Sequence, residues 1–273
     1  MIILAFDGSI NSDWLMHYGI YAASISNKKL ILLHVLNNEI VTDELNEKLL
    51  RAESLCSRKK VVCEVRIIPK RKNVTFSIAQ EIGSSTDVLC LCGTRIRSRR
   101  KGILRGTVSE KLLKLNRFPV LAVRVVHPGM LGNPDRILVG ISGRPDIFEK
   151  FKTVFSIFLK NARELHILHV VSVRGLSFRG TGASGNKKKK GLLHVKHVVE
   201  KIKDLIPGLK IDTSVDISFN WPEEVLLHAA KLKINFILLG ATDRTLGGRL
   251  FSVNRFERIL RETPCDVGIY RNV

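Results

Sequence analysis

The chain repeats its own plan, and this limits its fold more than any other feature. Apolar runs at 2–6 (IILAF) and 137–141 (ILVGI) lead into Asp7-Gly8-Ser9 and Ser142-Gly143, and a helical stretch follows each. The next apolar runs, 30–36 (LILLHVL) and 165–171 (LHILHVV), share Leu-His-Val. Then come 87–93 (DVLCLCG) and 235–241 (NFILLGA), and each half closes on a short apolar run, 119–126 or 265–271. A repeat of this length points to duplicated structural units.

Each half reads β-α-β-α-β-α-β-α-β. Continuous Val/Ile/Leu runs, rather than alternating ones, mark parallel strands covered on both faces. Helical periodicity falls at 12–25, 43–58 and 73–83, then at 148–162, 192–205 and 222–233, where Pro222 suits a first turn. Right-handed crossovers then give an α/β fold of two doubly wound open parallel sheets, one per repeat. The short apolar closing runs are expected to meet, because pairing removes a bare sheet edge. The Gly/Pro-rich stretch 127–135 lacks periodicity and reads as the join. This predicts a first repeat over 1–127, a linker over 128–135 and a second repeat over 136–273. Residues 174–191 hold five glycines and the run Lys187–Lys190, and read as a mobile surface loop.

Lys and Arg total 45 against 25 Asp and Glu, a formal charge of +20 shared equally by the two halves. Such a balance favours an anionic partner. Aromatic residues make up only 6%, which argues against stacking of single-stranded bases. No apolar run is long enough for a membrane-spanning helix. The N-terminus has no basic segment before its apolar run, so no signal peptide is expected. Five cysteines without C-x-x-C spacing read as reduced thiols in a cytoplasmic protein, with Cys90 and Cys92 sharing one buried strand face.

The basic residues concentrate in one place. Between Val88 and Ser109 there is no acidic residue, but there are Arg95, Arg97, Arg99, Arg100, Lys101 and Arg105. Gly93 ends a strand, and Gly106-Thr107 opens a helix, whose free N–H groups and dipole favour an anion. Arginine can hold phosphate oxygens in a bidentate way. Thr107-Val108-Ser109-Glu110 is equally a capping box, and Asn254 to Glu257 repeats it in the second half.

These residues resemble the universal stress protein family, present twice in tandem. The resemblance rests on the strand ending in Asp7, the Leu33-His34-Val35 strand end, and 93–124. That last segment follows the family pattern G-x2-G-x9-G-[ST] with Gly93, Ile96 in place of the middle glycine, and Gly106-Thr107. The resemblance implies strand order 3-2-1-4-5 in each repeat and a stress-response role. It also implies a site for ATP or a related adenine nucleotide, with Mg accompanying ATP. Asp7 would contact the nucleoside and Val35 the adenine edge through its backbone. Gly93, Arg95, Gly106 and Thr107 would form the phosphate cradle. In the second repeat Ser142, Asp243 and Val253 replace the matching residues, so nucleotide is expected in the first repeat only. The repeats would form an intramolecular pseudo-dimer, with a protein partner or a further homodimer also open.

No catalytic residue is assigned: no triad, G-x-S-x-G elbow, H-E-x-x-H or Walker A motif occurs. Any ATP hydrolysis would be slow. His166 and His169 point to opposite strand faces, and His194 and His197 lack carboxylate or thiol neighbours, so no protein-held metal is expected. Two other readings stay open. One is a ligand-free scaffold that works through protein partners. The other is a binder of nucleic acid or acidic surfaces, which the charge supports but the aromatic content does not.

Overall fold

The computed structural model describes residues 1–36, 41–94, 104, 107–130, 132–172, 181–242, 245–246 and 252–273, without the side chains of 181–184 and 252–255. The first half runs β1 (Ile2–Ala5), α1 (Ile10–Ser26), β2 (Leu30–Leu36), α2 (Asp43–Arg58), β3 (Cys63–Pro69), α3 (Val74–Ile82), β4 (Leu89–Gly93), α4 (Val108–Leu115) and β5 (Val120–Arg124). The second runs β6 (Arg136–Ile141), α5 (Ile147–Phe158), β7 (Glu164–Ser172), α6 (Thr181–Leu205), β8 (Lys210–Ser218), α7 (Trp221–Lys231), β9 (Phe236–Gly240), α8 (Ser252–Glu262) and β10 (Asp266–Arg271).

Local chemistry sets many of the helix ends. Thr42, Asn73 and Thr107 each accept a backbone N–H in the first turn of α2, α3 and α4. Asn27 and Asn116 close α1 and α4 in the left-handed conformation, which asparagine tolerates. Pro222 lies in the first turn of α7.

The strand order is β3-β2-β1-β4-β5-β10-β9-β6-β7-β8. Each half is therefore a parallel five-stranded unit of order 3-2-1-4-5, as the family resemblance implied. The two units join into one continuous sheet. β5 and β10 pair antiparallel, with Ile269 opposite Ala122, and every other pair is parallel. Each closing strand is an apolar edge, and pairing them satisfies backbone groups that both halves would otherwise expose.

Helices cover both faces. One core lies under α1, α2, α5 and α6, the other under α3, α4, α7 and α8, and each core takes residues from both halves. At the seam, Tyr18 packs on Phe236 at 5.5 Å and Phe158 on Phe236 at 5.6 Å between ring centroids. Cys90 and Cys92 are buried side by side in the second core, and all five cysteines are free thiols.

One expectation needs correction. The stretch read as a loop over 174–191 becomes helical from Thr181, so Lys187–Lys190 lie exposed on α6; 173–180 are outside the described residues. A Cβ on Gly191 would come within 2.9 Å of His169 and Val215, so this glycine lets a helix approach the sheet rather than break. Among the described residues no helix is long and apolar enough to cross a membrane.

Candidate functional site

In a sheet of order 3-2-1-4-5 the crossovers leave β1 and β4 in opposite directions, opening a crevice at their carboxyl ends. A cleft of about 500 Å³ lies there. Asp7 and the turn Gly8-Ser9 form one wall, the ends of β2 and α2 the other, and Gly93 with Ser109 part of the base. Leu33, Val35, Val74 and Ile78 give the cleft an apolar side.

Polar groups converge on it. The Asp7 carboxylate accepts the Ser9 N–H at 3.0 Å and its hydroxyl at 2.5 Å, which fixes the turn into α1. Gly8 has φ +75°, open to glycine without strain, and a Cβ there would meet Leu45 at 3.2 Å. Lys48 reaches in from α2, donating to the Gly8 carbonyl at 2.6 Å and to Glu44 at 2.8 Å. The bond to Glu44 holds its ammonium above the usual lysine range. Ser109 donates to the Gly93 carbonyl at 2.6 Å. Burial pushes the Cys92 thiol up to about 12, so this lining residue is no nucleophile at neutral pH.

The residues picked from sequence divide three ways. Asp7, Val35 and Gly93 line the cleft together. Thr107 is buried beside it as the cap of α4, donating to the Leu104 carbonyl at 2.5 Å and accepting the Glu110 N–H at 3.2 Å. Arg95 and Gly106 lie outside the described residues, as do Ile96 and Asp243. Sequence reasoning missed Lys48. Its spacing from Glu44 marks a helix pair, but nothing in α2 shows that this face borders β1.

The shared Leu-His-Val has a structural role in both halves. His34 Nδ1 is 2.8 Å from the Phe6 carbonyl, and His169 Nδ1 is 3.1 Å from that of Ile141. Each ring props the end of its half's first strand. A second cleft of about 560 Å³ occupies the matching place in the other half, lined by Ser142, Arg144, Lys150, Gly240 and Arg271. Its walls differ: Trp221 opens α7 where Val74 opens α3, and Trp221 meets Phe256 edge to face at 6.2 Å. The two clefts are thus unequal in shape and chemistry.

Comparison with known proteins matches this picture. The sequence model of the Universal stress protein family matches residues 134–271, just over half the chain. No match was found among curated proteins. A universal stress protein from Archaeoglobus fulgidus DSM 4304 superposes with TM-score 0.62 at 18% identity, over 99% of this chain and 96% of that one. A putative universal stress protein from Pseudomonas aeruginosa UCBPP-PA14 gives 0.65 at 14%, over 98% and 91%. The cytoplasmic domain of a prokaryotic cation chloride cotransporter gives 0.63 at 12%, over 99% and 94%. At these identities the likenesses show the shared fold alone. The family match falls on the half whose glycine pattern is the poorer, and the likeness of fold runs the length of the chain. On these grounds the chain belongs to the universal stress protein family.

Proposed function

We propose that the first-half cleft binds an adenine nucleotide, ATP or a close relative, as part of a cytoplasmic stress response. The observation that carries this is the placing of Asp7, Lys48, Val35 and Gly93 around one cleft at the sheet's switch point. The chemistry fits in parts. The apolar side made by Leu33, Val35 and Ile78 suits a flat base. The Asp7 carboxylate can accept from ribose hydroxyls. The Lys48 ammonium suits a phosphate oxygen, with Mg accompanying ATP to offset the remaining charge. Arg95, Gly106 and Thr107 complete the cradle in this reading. The repeats 1–127 and 136–273, joined by 128–135, act as an internal pair in which the second is a structural or regulatory partner. Its Trp221-walled cleft takes no ATP.

Calorimetric titration of the whole chain with MgATP should give one site. Replacing Asp7 by Ala, or Lys48 by Met, should weaken it about tenfold, since a hydrogen bond to a charged group contributes roughly 1.5–3 kcal/mol. Ile96→Gly should tighten binding if that side chain only obstructs the loop. Absence of binding at millimolar ATP, regained in Ile96→Gly, would hand the chain to the second reading, a ligand-free scaffold. One observation favours that reading: the single hydroxyl proton of Thr107, which a phosphate oxygen would need, is already donated within the protein to the Leu104 carbonyl.

A further inference from the structure

The far edge of the sheet carries a polar cluster that neither cleft includes. β8 is the edge strand, and α7 packs over β7 and β8. Asp212 and Asp216 lie four apart on β8, hence on one face, in register with His166 and Val170 of β7. Glu224 and His228 are one helical turn apart on α7, so they share the face that meets this strand. His228 Nε2 lies 2.7 Å from Asp216 Oδ2. The donor atoms of Asp216, Glu224 and His228 all lie within 4.8 Å of one another, and all three residues are half-buried. In a chain of net charge +20, this corner gathers three carboxylates.

A second, independent observation points to an occupant. His166 stacks on His228 with ring centroids 5.2 Å apart and planes 27° from parallel. His166 is only 7% exposed, and neither ring nitrogen has a hydrogen-bond partner among the described residues. Buried polar groups are nearly always paired, so an orphaned imidazole beside a carboxylate–histidine group asks for a polar neighbour.

We propose that Asp216, Glu224 and His228 form a binding site for a divalent transition-metal ion of the zinc class. One imidazole nitrogen and two carboxylate oxygens make a borderline ligand set that suits zinc and its first-row neighbours, without the thiolates of a closed structural site. Three protein ligands leave a coordination position for water or a small anionic ligand. His166 is the positioning residue: its ring fixes the plane of His228 and offers a nitrogen to the ion's outer shell. His166 and His169, three apart on β7, serve opposite faces of the sheet. His169 faces α6 and bonds to the Ile141 carbonyl, whereas His166 faces α7.

Titrating the full-length chain with zinc chloride in metal-free buffer tests this, with cobalt(II) as a spectroscopic probe. One ion per chain is expected, with d–d absorption typical of nitrogen and oxygen ligands and no thiolate charge-transfer band. His228→Gln and Asp216→Asn should each weaken zinc binding by at least about tenfold. Glu224→Gln, on the first turn of α7, tests the same site if either of those variants fails to fold. A Cys56→Ser, Cys63→Ser double variant should bind as the wild type does. MgATP binding at the first cleft should be unchanged throughout, so this proposal and the nucleotide reading fail separately. Absence of saturable binding at micromolar zinc overturns the proposal. So does binding that survives all three ligand changes or carries the thiolate band.

Discussion

Asp266 shows how much one side chain can decide. Its carboxylate is fully buried at the start of β10 and takes three hydrogen bonds: from Tyr18 Oη at 2.6 Å, the Val126 N–H at 2.6 Å and the His127 N–H at 2.9 Å. It therefore ties α1 and the chain after β5 to the strand that closes the second half. Burial, and then the Asp266 charge, push the Tyr18 phenol well above its ordinary range, so it remains a donor at neutral pH. Asp266→Ala leaves the buried Tyr18 hydroxyl and two part-buried backbone N–H groups without their acceptor, and a buried donor left unpaired costs about 1–3 kcal/mol. The substitution should lower stability by about 3 kcal/mol or more in urea titration. Tyr18→Phe removes one donor and leaves the carboxylate two, so its loss should be about 1 kcal/mol. Equal losses for the two variants would show that Asp266 is not the hub of this network. Nothing in the run CDVGIYR marks Asp266 as such a residue, because all three donors come from more than a hundred positions away.

At the scale of elements, the connection between the halves is a packed part of the fold. Pro128–Met130 form a 3-10 turn, and Gly132 follows with φ +68°. A Cβ on Gly132 would lie 2.4 Å from backbone atoms of His17 and Tyr18 in α1. Only glycine satisfies both the left-handed backbone and that approach. Gly132→Ala should therefore destabilise the protein by about 1–3 kcal/mol, the range for a residue forced into a disfavoured conformation. Gly129→Ala serves as the control: nothing lies within 4 Å of its Cβ position, and it should change stability far less. Thermal melts of both variants check this, and similar melting points would reject the docked linker. The Gly/Pro composition shows only a stretch without periodicity, and nothing in it shows that Gly132 packs against α1.

For the whole molecule, duplication produced one sheet and two shared cores. Leu121 and Val123 of the first half sit in the same buried cluster as Val139 and Phe236 of the second, and Ala122 shares the opposite cluster with Ile269. Neither half can unfold without exposing apolar surface of the other. Calorimetry should therefore show a single transition, with van't Hoff and calorimetric enthalpies agreeing. Two separated transitions would mean that the seam contributes little and that the halves are independent units. The basic charge is common to both halves, yet it does not distinguish their clefts. That difference rests on single side chains such as Trp221 opposite Val74.

The strand order within each half came with the family resemblance, whereas the order of elements and the carboxyl-edge position of Asp7, Val35 and Gly93 were legible before any coordinates. They follow from local periodicity, from burial on both strand faces and from the handedness of crossovers, all short-range or general physics. The antiparallel seam of β5 and β10 was legible as a meeting of edges, though its continuity into ten strands was not. What only the tertiary structure decided are the relations between distant segments. Lys48 comes to the cleft from α2, Asp266 gathers donors from two other segments, and His166 and His228 stack across a strand and a helix. Each depends on which face of one element lies against another, and side-chain packing across long loops fixes that choice after the local pattern has been spent.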